Sequence, residues 1–111
     1  MEDYTLNDYQ KDALSTAIYP ETSRIIYPAL GLAGEAGEVC EKVKKVLRDN
    51  GGEFSEEKKA ETAKEVGDVL WYVANIAHDL GYTLGDIARM NRDKLFSRKE
   101  RNVLHGSGDN R

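Results

Sequence analysis

Glu65-Val66-Gly67-Asp68-Val69-Leu70-Trp71-Tyr72-Val73-Ala74-Asn75-Ile76-Ala77-His78-Asp79-Leu80 is the stretch that decides the fold. Its apolar residues Val66, Val69, Leu70, Val73, Ile76, Ala77 and Leu80 recur in steps of three and four, the period of one helix face rather than the alternation of a strand. Upstream, Ser55 is placed as an N-cap; downstream, Gly81 is placed to end the helix. A helix is therefore expected from about Glu56 to Leu80.

The same period extends in both directions. Leu32, Ala36, Val39, Val43, Val46 and Leu47 predict a helix from about Pro28 to Asp49. Pro28 suits its first turn and Asn50-Gly51-Gly52 its end; a start near Ser23, with Pro28 as a kink, is the alternative. An earlier helix, from about Leu6 to Tyr19, carries Tyr9, Ala13, Leu14, Ala17 and Ile18 on its apolar face and is stopped by Pro20. Thr5 with Asp8, or Asn7 with Gln10, offers its cap. A last helix runs from about Leu84 to Arg101, with Thr83 and Asp86 spaced as a capping box. No segment alternates like a strand. The expected fold is all-α with four main helices in one domain, 1–104, followed by a Gly-rich tail, 105–111.

The chain has 111 residues, 40% apolar and 32% charged, an ordinary globular balance. So short a chain buries a modest core, which a partner subunit would extend. Its net charge of −4 argues against general nucleic-acid binding, which needs a basic surface. No stretch approaches the ~18 apolar residues of a membrane helix, and no apolar run follows the acidic start Met1-Glu2-Asp3. A cytoplasmic protein is expected. The single cysteine, Cys40, excludes an intrachain disulfide and reads as a buried structural thiol.

Two acid pairs stand out. Glu35-Ala36-Gly37-Glu38 lies on the second helix and Glu65-Val66-Gly67-Asp68 on the third. A spacing of three puts both members of a pair on one side of a helix. Glu35 and Glu65 fall at the edge of their apolar stripes, where they face a neighbouring helix. Like charges so spaced cost about 0.2–0.5 kcal/mol, and neither Glu35 nor Glu65 has a Lys or Arg three or four residues away. Each pair also encloses a glycine, at about 1 kcal/mol against alanine in a helix. Gly37 and Gly67 therefore suggest close helix approach or room for a ligand.

Four converging carboxylates need a cation. An all-oxygen set fits a hard ion, magnesium with manganese as substitute. Magnesium retains waters and favours sites completed by phosphates, so a polyphosphate ester is the expected substrate. Water on such an ion has a lowered pKa and can attack phosphorus, with a glutamate as general base. The competing di-iron bundle requires Glu-x-x-His on two helices. Only Asn75-Ile76-Ala77-His78 approaches that pattern, and it lacks the glutamate; His78 reads as an exposed or structural histidine.

From Arg89 to Arg101 the charge reverses, with Arg89, Arg92, Lys94, Arg98, Lys99 and Arg101 against Asp93 and Glu100. Cations near a helix C-terminus explain part of this excess. Asn91, Lys94 and Arg98 are the candidates to meet phosphate. The tail, with Gly106 and Gly108, offers backbone N–H groups for an anion, or is a frayed end. Trp71 and Tyr72 are candidates for stacking on a base, with core or interface packing as the alternative. Asn7, Tyr9 and Gln10 are weaker candidates for base contact.

Gly31-Leu32-Ala33-Gly34-Glu35-Ala36-Gly37-Glu38-Val39, Glu65-Val66-Gly67-Asp68-Val69-Leu70-Trp71-Tyr72 and Asn91-Arg92-Asp93-Lys94-Leu95 with Arg98 resemble, in order, three signatures of the MazG-like nucleoside triphosphate pyrophosphohydrolases. The ending His105-Gly106-Ser107-Gly108-Asp109-Asn110-Arg111 is similar to the tails of short, phage-type members. The resemblance implies that Glu35, Glu38, Glu65 and Asp68 ligate magnesium. It implies cleavage between the α and β phosphates, to nucleoside monophosphate and pyrophosphate, with Lys94 and Asn91 on phosphate. It also implies a homodimer or homotetramer whose helices complete a bundle. A phosphohydrolase of other nucleotide specificity and a non-catalytic helical interaction module are the alternatives.

Overall fold

A computed structural model describes residues 3–111. Helices α1 (Leu6–Ser15), α2 (Ile26–Asp49), α3 (Glu56–Asp79) and α4 (Leu84–Glu100) form an all-α fold, with a short 3-10 turn at Glu21–Ser23 and no strand among the described residues. Helices α2 and α3 are 24 residues each. They are joined by the turn 50–55 and pack along each other as an antiparallel hairpin, the main helix pair of the molecule. Helix α1 lies against α3 and α4.

The punctuation follows the local chemistry. Thr5 and Asp8, and again Thr83 and Asp86, exchange side-chain and backbone hydrogen bonds as capping boxes. Ser55 Oγ accepts from the Lys58 N–H at 3.1 Å. Gly51, Gly52 and Gly81 take left-handed conformations at the ends of α2 and α3, where a Cβ would be strained. Helix α1 ends at Ser15, earlier than the expected Tyr19. There Ser15 Oγ donates to the Asp12 carbonyl at 2.6 Å and Thr16 Oγ1 to the Ala13 carbonyl at 2.8 Å, local bonds that compete with helix continuation. Ile18, expected on the apolar face, is consequently 95% exposed.

Helix α2 begins two residues before Pro28, which sits buried in the first turn without needing an N–H. The turn before it is unusual. Ile25 has φ 69 and ψ −54, and the Ile26 N–H reaches the Arg24 carbonyl at 2.7 Å. That is a γ-turn of the strained hand, centred on a β-branched residue. Asp79 holds it. Its carboxylate accepts from the Ile25 N–H and the Tyr19 hydroxyl, both at 2.9 Å, and lies 3.5 Å from Arg24 Nε. Burial by itself would raise the Asp79 carboxyl, but these donors hold it below the ordinary value of 3.8.

The core is small. Ala13, Ala74, Ala77 and Leu84 form it where α1, α3 and α4 meet, with Tyr9, Trp71, Val73 and Ile87 packed around. Gln10 is buried among them. Its Nε2 donates to the Ala74 and Tyr82 carbonyls and its Oε1 accepts from the Leu84 N–H, while Asn7 Oδ1 accepts from the Gly85 N–H at 2.8 Å. Asn7 and Gln10, considered for base contact, thus secure α1 to the start of α4. Several residues expected in helix cores face outward instead: Val66, Leu80 and Leu47 are more than half exposed. Cys40 is also exposed rather than buried. It follows the half-buried Val39, and one step of 100° carries its thiol to a more open side of α2.

Candidate metal centre

The antiparallel hairpin sets the middle of α2 opposite the middle of α3, which is where both acid pairs lie. Carboxylate oxygens of Glu35, Glu65 and Asp68 come within 4.8 Å of one another, close enough to share one ion. Glu38 is outside that trio, yet its charge reaches Glu35. Burial pushes the Glu35 carboxyl up, and the negative charges of Asp68, Glu65 and Glu38 push it further. None of the four acids has an ion-pair partner among the described residues. Oxygen-only ligands at this spacing, without a protein cation, fit a hard divalent ion.

A glycine governs the approach of the helices, though not at the positions expected. A Cβ on Gly31 would lie 2.1 Å from Tyr72 Cε1, so the ring rests directly on the α2 backbone one turn before Glu35. Gly34, Gly37 and Gly67 have nothing within 4 Å of an added Cβ. Within one chain, Gly37 and Gly67 therefore leave open space, not close helix contact.

Beside the acids is an open depression of about 390 Å³ lined by Thr16, Glu35, Asp68, Trp71 and Tyr72. The Trp71 and Tyr72 rings meet edge to face, with centroids 4.9 Å apart. Trp71 Nε1 donates to Thr16 Oγ1 at 2.7 Å. Tyr72 tilts against Tyr27, which stacks on Tyr19, whose hydroxyl reaches Asp79. An aromatic row thus joins the acid cluster to the Asp79 anchor. Tyr19, Tyr27, Asp79 and Thr16 were not singled out by the sequence; only three-dimensional proximity gives them these positions.

Asn91, Lys94 and Arg98 are not part of this depression. Asn91 and Lys94 line another, of about 290 Å³, with Ile87, Met90 and Asp109. Lys94 Nζ lies 2.7 Å from Asp109 Oδ1. Arg98 is buried and donates to the Asp109 main-chain carbonyl at 2.6 Å. The tail is not a frayed end. It turns back on α4, and Arg111 donates to the carbonyls of Val103, Leu104 and Gly108.

With acids and aromatics on one helix hairpin, comparison with known proteins decides the family. The MazG nucleotide pyrophosphohydrolase domain matches residues 28–103. This chain belongs to the MazG family. Its members act on nucleotides and are in general metal-dependent, and the matched span contains both acid pairs and Lys94. Along nearly its whole length the chain is also similar to a protein of Mycobacterium phage L5 described as "Gene 37 protein": 46% identical over 109 residues, covering 93% of this chain and 96% of the phage protein. No solved structure matches. No helix is long and apolar enough to cross a membrane.

Proposed function

We propose that this MazG-family chain hydrolyses nucleoside triphosphates to nucleoside monophosphate and pyrophosphate with magnesium, or manganese in its place. The observation carrying this reading is the convergence of Glu35, Glu65 and Asp68 with no ion-pair partner among the described residues. A bound ion supplies a water of lowered pKa and neutralises charge on the phosphate oxygens. Glu35, Glu65 and Asp68 would hold that ion. Glu38, adjacent but outside the trio, takes the proton from the water that attacks the α-phosphorus as the bond to the bridging oxygen breaks and pyrophosphate leaves. Trp71 and Tyr72 offer an aromatic wall for the base beside the acids.

Asn91 and Lys94 contact the phosphates, with the charge of Arg98 behind them. They line a separate depression, and a second copy of the chain would bring α4 to the acid cluster. The exposed apolar residues fit that requirement: Leu30 is 71% exposed, Ile26 and Leu47 64%, and Phe96 58%. A homodimer or homotetramer in the cytoplasm, with no nucleic-acid partner, completes the proposal. The test is pyrophosphate release from a panel of ribo- and deoxynucleoside triphosphates, with magnesium or with chelator. Equimolar monophosphate and pyrophosphate, abolished by chelator, is the expected result. A folded protein that turns over no nucleotide in the panel would instead be a helical interaction module.

A further inference from the structure

The tail places a carboxylate where a phosphate oxygen is expected. Asp109 Oδ1 is 2.7 Å from Lys94 Nζ and 3.3 Å from Arg98 Nη2. These two cations, together with Asn91, are assigned to phosphate in the proposed reaction, and the inference rests on that reading. Other bonds already close the tail. The Arg98 guanidinium already donates to the Asp109 main-chain carbonyl at 2.6 Å, Arg101 donates to the Arg111 carbonyl at 2.8 Å, and Arg111 reaches three further carbonyls. The short bond of the carboxylate is to Lys94, at the rim of the depression formed with Ile87, Met90 and Asn91.

Exposure distinguishes the partners. The side chain of Arg98 is 7% exposed, that of Lys94 37% and that of Asp109 77%. Arg98 also keeps a buried Nε with no hydrogen-bond partner. The arginine is therefore fixed, whereas the Asp109 carboxylate is in water and held by an ion pair of the weak, exposed kind. A carboxylate and a phosphate oxygen present the same acceptor to an ammonium group, but a polyphosphate brings several charges.

We propose that Asp109 is an internal competitor for the phosphate end of the site: its carboxylate occupies Lys94 in the free protein, and the polyphosphate of the substrate displaces it. Lys94 and Arg98 together carry two positive charges against the one of Asp109, so a singly charged anion gains little by replacing the carboxylate. A chain of phosphates gains more. Asp109 thereby sets affinity and favours polyphosphate over inorganic phosphate.

The experiment measures pyrophosphate binding to the magnesium-loaded full-length protein. Asp109→Asn keeps the main-chain carbonyl for Arg98 and removes the charge. It is expected to bind pyrophosphate about threefold to tenfold more tightly than the wild type, the range that follows from losing one exposed ion pair and one like-charge neighbour. Lys94→Ala is expected to lose most binding, and the double variant to match Lys94→Ala. In the wild type, added pyrophosphate is expected to shift the Asp109 side-chain carboxyl 13C resonance while the Arg111 amide stays in place. Unchanged or weaker binding by Asp109→Asn, or an unmoved carboxyl resonance, overturns the proposal while leaving Lys94 on phosphate. Wild-type pyrophosphate affinity in Lys94→Ala overturns the assignment of Lys94 itself, and the tail's role with it.

Discussion

The two charged regions of this molecule are built in opposite ways. On α2 and α3, acids crowd together and nothing among the described residues answers them: Glu35, Glu65 and Asp68 share a 4.8 Å neighbourhood and have no ion-pair partner there. On α4 and the tail, four of the cations are answered by carboxylates. Arg89 pairs with Asp86, Arg92 with Asp93, and Lys94 and Arg98 with Asp109. An unanswered cluster costs stability, so its persistence points to an external ion. An answered cluster needs no ligand to exist, and its ligand has to displace an internal partner. The same residue types therefore carry different weight as functional evidence, depending on whether the protein has already neutralised them.

The largest effect comes from breaking the acid side. Asp68→Asn is expected to lower turnover at least about a hundredfold, since losing even an outer partner of a metal ligand costs about 10–100-fold. The metal-free variant should melt no lower than the wild type, because a like-charge contact is removed. Turnover with magnesium, and thermal melting in chelator, measure the two. Glu38→Gln sharpens the division of labour: if Glu38 is the base, turnover falls about a hundredfold or more while manganese affinity stays near that of the wild type.

The next effect is on helix approach. Gly31→Ala drives a Cβ into the Tyr72 ring and is expected to cost about 1–3 kcal/mol in denaturant unfolding. Gly37→Ala and Gly67→Ala meet no atom of their own chain, so the monomer should gain up to about 1 kcal/mol. Equal losses in all three would place the close approach elsewhere.

A smaller, pH-dependent effect belongs to Asp79, whose carboxyl is held below 3.8 in the folded state. A depressed acid contributes stability that is present above its unfolded value and lost as the pH falls through its folded one. Asp79→Asn should therefore narrow the stability gap between neutral and acid conditions, read as melting temperature from pH 7 down to below the ordinary Asp range. An unaltered pH profile would remove Asp79 as the anchor of the Ile25 turn.

Much of this was legible in the sequence because it is local. Thr5 with Asp8, Thr83 with Asp86, Ser55 and Gly81 act over three or four residues, and their caps stand where their spacing put them. The acid pairs were legible as pairs for the same reason. What could not be read depends on where distant segments meet. Gly31 resembles Gly37 and Gly67 in sequence, and only the position of Tyr72 separates it from them. Gln10 and Asp79 lie 64 and 54 residues from groups they bind, and no period records such a pairing. Asp109 sat in a stretch read for its glycines, and its value lies in reaching back to Lys94. Val66, Leu47 and Ile18 fit a helical stripe, but a stripe does not reveal whether its own chain covers it.

The most direct measurement is manganese binding to the purified protein, followed by electron paramagnetic resonance, for the wild type and for Glu35→Gln, Glu65→Gln and Asp68→Asn. Saturable binding of at least one ion per chain, competed by magnesium and weakened in each variant with helix content retained, is the predicted result. Wild-type affinity in all three variants, or no saturable binding at all, would contradict the convergence of these carboxylates on a metal.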